Sequence, residues 1–435
     1  MARLLNEKVP SLKVGLLEAG NPPNAHQHAS DRVPHPRSYA LSPNSLKILG
    51  DDVKSKLDLG YYDSMQVWEA KSPASLTFSS KDLDMDYMKE PYLGACVEDE
   101  ALVEALWKEI QDTTTIYDNT KIDSINSTGD SHGLATVTTS KGDRIETALL
   151  IGADGGNSWV RKNIGISRIG TEYEQTALTF TVSLKGSMHK RAFQRFLTDG
   201  GPMALLPTYS EDHAVIVWST SPDTVKEWKD APEEELVAHL NDCLMRGPER
   251  ISPLVEQQSS NNSDVISNIL YGAERVLDTL HYGLAMASHY PNPKFYAPPN
   301  IDQIVSPKFS FPLSCFHVKS YTKGRVALVG DAAHTVHPMA GQGLNLGLGD
   351  VQVLVECLEK ASKSGMDLSS FLSEYDSDRQ RNVSVALGGI HGLQRIFGMQ
   401  NVPLQHAKTL GMNLIQNLGP LRRQIALAAA HGVSI

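Results

Sequence analysis

Three acidic residues stand where apolar runs end, and two of them are followed by glycines. Asp331 lies in Gly330-Asp331-Ala332-Ala333-His334, behind the apolar run 325–329. After Pro338 comes Gly341-Gln342-Gly343-Leu344-Asn345, which opens a long helical pattern. Small residues at a strand-to-helix turn let backbone approach a bulky ligand, and the first amides of the helix lack intrahelical partners. Such amides suit an anionic or electron-rich edge, as a cofactor would present, although loop glycines taken alone mostly serve turns. Asp154 lies in Gly152-Ala153-Asp154-Gly155-Gly156-Asn157-Ser158-Trp159-Val160-Arg161, where Ser158 and Arg161 fall one helical turn apart and can serve one polar site. Glu18 ends the strand-like run 13–17. His334 and His337, with side chains that titrate near neutrality, are candidates for acid or base work and equally for buried structural roles. They are three apart, yet no third ligand accompanies them, so no metal is expected. Nothing reads as a nucleophile, and no catalytic residue is assigned.

These residues need elements to position them. An acid at the end of a second strand accepts hydrogen bonds from a ribose in a dinucleotide fold, some 20 residues after a glycine-rich turn. The alternative for Glu18 is a strand-end acid facing solvent. Residues 2–8 read as the tail of a helix, so the first strand and its GxGxxG turn would have to precede Met1. The expectation is an N-terminally truncated unit, lacking the turn whose amides hold a pyrophosphate. Arg37, in Arg37-Ser38-Tyr39-Ala40-Leu41-Ser42, reads either as a cofactor contact or as a solvated loop side chain. Glu98-Asp99-Glu100 opens a helix through Trp107, and residues 114–117 form a short strand. Residues 134–139 and 144–151 bracket Lys141-Gly142-Asp143, a hairpin that delivers the chain to Gly152. Residues 177–184, 195–197, 201–207 and 214–219 read as strands without long intervening helices, a sheet that serves as a wall rather than a nucleotide unit.

The string GDAAHTVHPMAGQGLN resembles the third flavin-contacting motif of the class A flavoprotein aromatic hydroxylases, the para-hydroxybenzoate hydroxylase-like family. The ten residues from Gly152 resemble that family's G-A-D-G-x-x-S-x-V-R segment, and Arg37 to Ser42 its Arg-x-x-x-Leu-x segment. The resemblance implies FAD as cofactor. It places Glu18, Arg37 and Asp154 on the nucleotide side, Asp331 at the ribityl and pyrophosphate region, and Pro338, Gly341, Gln342, Gly343, Leu344 and Asn345 against the isoalloxazine. Tyr375-Asp376-Ser377-Asp378-Arg379 resembles a segment that closes onto the flavin domain. Arg195-Phe196-Leu197, Gly201 to Pro207, Val217 to Thr220 and Phe311-Pro312-Leu313 look like the branch that hydroxylates prenylated phenols in ubiquinone synthesis.

From that resemblance the expected fold class is α/β: a Rossmann-like FAD-binding domain, its first βα unit missing, interleaved with a mixed β-sheet substrate domain and followed by a helical C-terminus. The FAD-binding parts are expected at 1–70, 96–170 and 316–382, the substrate domain at 71–95 and 171–315, and the helical region at 383–435. The implied reaction is C5 hydroxylation of a polyprenyl-4-hydroxybenzoate-derived intermediate through a flavin C4a-hydroperoxide. Dioxygen is the oxidant, and ferredoxin with its reductase is the implied electron donor. Two alternatives stay open: a flavin hydroxylase of a soluble aromatic using NADPH directly, and a truncated scaffold among ubiquinone biosynthesis proteins.

Composition narrows the partners. Forty basic against 50 acidic residues, a net charge of −10, argue against nucleic acid. Cys96, Cys243, Cys315 and Cys357 are far apart and show neither CxxC nor zinc spacing, as in a reducing compartment. No window of 18 apolar residues free of charge exists, so no spanning helix is expected. Residues 1–30 hold no signal or transit pattern, Glu7 and Glu18 interrupting them. The resemblance implies the matrix side of the mitochondrial inner membrane, with peripheral membrane contact and the targeting segment absent from this chain. The tail beyond 383 reads as a packed helix pair or as a surface that rests on anionic lipid.

Overall fold

The computed structural model describes residues 1–23, 32–83, 92–127, 133–198, 201–249, 295–338, 341–398 and 402–431. Met339 and Ala340 of the glycine-rich string, and residues 432–435 of the tail, lie outside them. The first half runs α1 (Ala2–Lys8), β1 (Gly15–Leu17), β2 (Ser38–Leu41), α2 (Pro43–Lys54), β3 (Gly60–Tyr62), β4 (Ser64–Glu69), β5 (Ser75–Ser79), β6 (Gly94–Glu98), α3 (Asp99–Ile110), β7 (Thr115–Tyr117), β8 (Ile122–Asn126), β9 (Ala135–Thr139), β10 (Arg144–Thr147), β11 (Leu150–Gly152) and α4 (Trp159–Asn163). The second runs β12 (Arg168–Lys185), β13 (Arg191–Phe196), β14 (Pro202–Pro207), β15 (His213–Thr220), α5 (Pro222–Asp230), α6 (Glu233–Met245), β16 (Asn300–Ile304), β17 (Phe309–Val318), β18 (Thr322–Lys323), β19 (Val326–Leu328), β20 (His334–Thr335), α7 (Gly343–Lys363), α8 (Leu372–Gly398), α9 (Val402–Asn417) and α10 (Gly419–His431).

The nucleotide unit is made of short parallel pairs. β1 lies parallel to β7, and β11 parallel to β19, each three residues long. Their apolar side chains join one core with α7: Leu150, Val326, Leu328, Leu346, Leu354 and Leu358 are buried together. The hairpin expected from Lys141-Gly142-Asp143 forms between β9 and β10, with Gly142 at φ +87° in its turn. The chain then leaves that hairpin, and β11 pairs with β19, two sequence-distant strands that end at the two acidic turns.

The second unit is a nine-stranded sheet in the order β20-β17-β12-β15-β14-β13-β4-β5, with β16 also on β12. β12, 18 residues long, runs from the nucleotide unit into this sheet and pairs antiparallel with β15, β16 and β17. Alternation along the strands sorts their two faces. Phe180, Val182, Met203, Leu205, Ile216 and Trp218 bury one face against α6, whose Leu236, Leu240 and Leu244 recur at every fourth position. The four expected strands, β12 to β15, follow one another with no helix among the described residues between them, and α5 and α6, after β15, close that face. The acidic start of α6, Glu233 to Glu235, and the proline at N1 of α5 are local helix signals.

Among the described residues no helix is long and apolar enough to cross a membrane. α9 and α10 pack on the far edge of the sheet, with Met412 beside Val67, Leu76 and Phe196, and Ala426 beside Leu83.

Candidate flavin site

Strands β11 and β19 end side by side, so the Asp154 and Asp331 turns are neighbours. Arg161, buried in α4, joins them: its Nη1 donates to the Ala332 carbonyl at 2.7 Å and its Nη2 to the Gly156 carbonyl at 3.1 Å. Ser158 caps α4 through the Arg161 amide at 2.9 Å. Ser158 and Arg161 thus brace the two turns from inside rather than facing a ligand. Asp154 is exposed, and its two oxygens accept from the Ser158 hydroxyl and the Val160 amide, so it shapes its own turn.

Asp331 differs. It makes no hydrogen bond among the described residues, and its side chain is exposed to solvent. Yet burial by the surrounding protein raises its pKa, with Asp350 adding to the rise and His334 opposing it. The carboxyl is therefore open to solvent and partly desolvated by its neighbours. Hydroxyl donors of a bound ligand would satisfy it there.

The turn that carries Asp331 packs against α7, where a Cβ on Gly347 would lie 3.1 Å from the Gly330 Cα. Gly341 has φ +59° and its amide donates to the Pro338 carbonyl at 2.9 Å, turning the chain into the helix. Among the described residues no side chain caps the helix at Gln342, so the amides from Gly343 onward have no capping side chain there, in a 21-residue helix with its positive end here. A Cβ on Gly343 would meet Val336 at an ordinary 3.6 Å, so the protein itself leaves room on that side. Leu344 packs toward Leu41 and Leu46 rather than outward. Asn345 is buried and saturated: its Oδ1 accepts from the Ser42 amide at 2.9 Å and the Ser45 hydroxyl at 2.7 Å, and its Nδ2 donates to the carbonyls of Ala40 and Gly341. It clamps the glycine turn to the start of α2. A helix start without a side-chain cap, a solvent-accessible carboxyl without a hydrogen-bond partner among the described residues and a left-handed glycine turn together fit a flavin.

On the nucleotide side, Glu18 is half-buried at the end of β1 and accepts from the Gly20 amide at 2.7 Å. Arg37 is largely exposed and pairs with Asp99 at 3.0 Å. Glu98 holds the adjoining segment, accepting from the His35 amide at 2.6 Å and from Arg32. Arg37 is tied to the Asn345 clamp through β2.

Both histidines are structural. His337 is fully buried, with Nε2 3.1 Å from the Gln175 Oε1, and burial depresses its pKa to about 4. His334 is buried against Asp350, with Nε2 2.7 Å from Oδ2. Asp350 escaped the sequence reading. Its signal was an acid on the apolar face of α7, in step with Gly343, Leu346, Gly347 and Leu354. No cluster of His, Cys, Asp or Glu among the described residues could hold a metal.

The sheet offers its second face toward the Pro34–Pro36 segment. The hydroxyl of Thr181 donates to the Pro34 carbonyl at 2.6 Å and that of Thr179 to the Pro36 carbonyl at 3.3 Å. Residues paired across antiparallel strands share a face, which puts Phe309 opposite Thr179 and Phe311 opposite Ala177. Both phenylalanines are more than two-fifths exposed, and Phe309 lies 5.7 Å from the His35 ring. An apolar aromatic wall therefore stands beside the loop that leads to Arg37.

The profile of the FAD binding domain family matches residues 28–266 and 293–387. The ubiquinone biosynthesis monooxygenase COQ6, mitochondrial, of Xenopus tropicalis is 32% identical over 437 residues, covering 96% of this chain and 87% of that protein. Its Homo sapiens counterpart is 31% identical, covering 96% and 86%. Among solved structures, PqsL of Pseudomonas aeruginosa in complex with 2-aminobenzoylacetate superimposes with a TM-score of 0.66 at 18% identity, over 94% of this chain and 95% of that one. HpxO of Klebsiella pneumoniae, complexed with FAD and uric acid, gives 0.62 at 16%, over 98% and 93%. At those identities the structures share the fold. The matched profile and the near full-length relatives place this chain in the FAD-binding class A flavoprotein monooxygenases, in the family of the ubiquinone biosynthesis monooxygenases.

Proposed function

We propose that the chain hydroxylates C5 of the aromatic ring of a polyprenyl-4-hydroxybenzoate-derived intermediate in ubiquinone biosynthesis. The observation that carries this reading is the exposed Phe309 and Phe311 on the sheet face beside the flavin domain, in a chain whose relatives are ubiquinone biosynthesis monooxygenases. An apolar wall suits a prenylated ring better than a charged, soluble one.

Reduced flavin supplies the activation of dioxygen, and the protein's part is placement. Asp331 would accept from hydroxyls of the ribityl chain, and the amides from Gly343 would face the electron-rich edge of the ring system. Pro338, Gly341, Gln342, Leu344 and Asn345 fix the turn that lies against it, while Glu18, Arg37 and Asp154 serve the nucleotide end. The sheet wall excludes water and holds the phenol ring. The proposed domain limits are FAD-binding parts at 1–70, 96–170 and 316–382, substrate parts at 71–95 and 171–315 and a helical region at 383–435, with β4 and β20 crossing from the FAD-binding parts into the nine-stranded sheet.

The reading extends to the setting. A mitochondrial location follows the relatives' names, and ferredoxin with its reductase is the proposed donor. Peripheral contact with the matrix face of the inner membrane is supported by Leu414 of α9, Leu418 at the junction of α9 and α10, and Leu421 and Ile425 of α10, each more than a third exposed. Residues 383–435 also hold four basic and no acidic residues; Lys408 and Arg422 pair with Glu69 and Asp82 inside the fold, and Arg395 and Arg423 are the exposed pair that would meet anionic lipid.

The test is a single turnover. The flavin is reduced anaerobically and mixed with labelled dioxygen and either a short-chain prenylated 4-hydroxybenzoate or an unprenylated one. Label at ring C5 of the prenylated phenol supports the reading. Turnover of only the unprenylated acid, driven directly by NADPH, contradicts it.

A further inference from the structure

Asp350 sits at the seventh residue after the start of α7, fully buried, and has no place in the account above. Its Oδ2 accepts from the Gly330 amide at 2.8 Å and faces His334 Nε2 at 2.7 Å. Its Oδ1 accepts from Arg379 Nε at 2.7 Å. Arg379 comes from α8 and is itself buried, with Nη2 donating to the Leu346 carbonyl at 3.3 Å. Burial opposes ionisation of Asp350, but the charge and hydrogen bond of His334, the Arg379 guanidinium and the Gly330 amide outweigh it and hold the carboxyl below its usual range.

Gly330 opens the single turn, Gly330–Ala332, that carries Asp331. Its φ of +60° is a conformation that only a held backbone keeps at no steric cost, and glycine has many others available. The turn also lies hard against α7: a Cβ on Gly347 would come within 3.1 Å of the Gly330 Cα. Two devices thus fix the turn, a close backbone approach and a charged acceptor for its first amide.

Packing alone does not account for the arrangement. His334 Nδ1 is buried without a hydrogen-bond partner among the described residues, which costs about 1–3 kcal/mol. An apolar side chain at 334 would avoid that cost. The ring is therefore placed for what its other nitrogen does, which is to orient the carboxylate that holds Gly330.

We propose that Asp350 is the positioning residue of the flavin turn: held by Arg379 and His334, it fixes the Gly330 amide and thereby aims the Asp331 carboxylate at the cofactor. The inference rests on the reading of Asp331 as a flavin contact. Asp350→Asn isolates it chemically. The amide keeps the volume but offers one acceptor and one donor group, so with its oxygen toward Arg379 its NH2 opposes the Gly330 N–H.

The experiment is a double-mutant cycle on FAD affinity, read by quenching of flavin fluorescence as apoprotein is titrated, with wild type, Asp331→Ala, Asp350→Asn and the double variant. Asp350→Asn is expected to weaken FAD binding at least tenfold in the wild-type background and less than threefold when Asp331 is absent, because the two act through one contact. An equal factor in both backgrounds, or an affinity within threefold of wild type, overturns the inference. If Asp331→Ala itself leaves FAD affinity unchanged, the reading of the flavin site fails and the inference fails with it. Should Asp350→Asn not fold, Arg379→Lys keeps the cation and loses the Nε geometry. It is expected to weaken FAD binding three- to tenfold with the same dependence on Asp331, and additivity with Asp331→Ala overturns the proposal.

Discussion

Arg161 reaches from α4 to the carbonyl oxygen of Ala332, 2.7 Å from its Nη1, and so joins the turn after β11 to the turn after β19. The two turns are 171 residues apart in sequence along this bond, and each carries one of the acids assigned to the cofactor. Arg161→Met keeps the stem and leaves the buried Ala332 carbonyl without its donor, while the half-buried Gly156 carbonyl keeps only Arg168 Nη1 at 3.4 Å. The expected cost is about 2–4 kcal/mol of stability by urea unfolding, with FAD affinity lowered about tenfold. An FAD affinity equal to wild type would mean that the turns hold each other without it.

A second buried pair fastens the C-terminal helices. Lys408 of α9 meets Glu69 at the end of β4, both nearly inaccessible, and burial raises the Glu69 pKa although Lys408 pulls it down. Lys408→Met should cost about 3–5 kcal/mol at neutral pH, since it strands a buried carboxylate. Glu69→Gln in the same chain should recover most of the loss. The single variant's deficit should shrink as pH falls, because the stranded carboxyl can then take up a proton. Denaturant midpoints of wild type, Lys408→Met, Glu69→Gln and the double variant at two pH values decide it; a deficit independent of Glu69 refutes the pairing.

His337 gives the fold a pH dependence of known sign. Burial lowers its pKa from 6.5 to about 4. Its buried neutral form therefore contributes stability that is present above pH 6.5 and lost as pH falls toward 4, where the unfolded chain binds a proton that the folded ring refuses. The full effect is about 3 kcal/mol. His317, lowered by its own burial and by His334, acts in the same direction. His337→Gln should flatten the stability profile between pH 6.5 and 4, and an unchanged slope would remove His337 from the account.

The exposed leucines of the C-terminal helices predict lipid binding that salt weakens. Leu418→Glu with Leu421→Glu should cut co-sedimentation with vesicles rich in anionic phospholipid at least fivefold while leaving bound flavin unchanged. Equal sedimentation of variant and wild type would place the membrane contact elsewhere or nowhere.

What could be read from the chain follows physical range. The strand before Asp331, the helix start at Gly343 and the first strand of the hairpin around Gly142 are local patterns and form within a residue or two of expectation, whereas the expected second strand, 144–151, divides into β10, which closes the hairpin, and β11, which pairs with β19. The histidines at 334 and 337 left acid–base and structural roles open, and burial decides for the second. Asp350 was legible only as an oddity of pattern, because its partners Gly330, His334 and Arg379 come from three other segments. The parallel pairing of β4 with β13 joins residues more than a hundred positions apart, and no periodicity in either strand encodes it. Ser158 and Arg161 were placed correctly on one face, but their shared polar site is the protein's own backbone.

The most direct test of the central claim is the visible spectrum and FAD stoichiometry of the purified chain after incubation with FAD, beside Asp331→Ala. The account predicts a bound, perturbed flavin spectrum approaching one FAD per chain in the wild type and a clear loss in the variant. A wild-type chain that stays colourless, or a variant that binds as much FAD with the same spectrum, contradicts it.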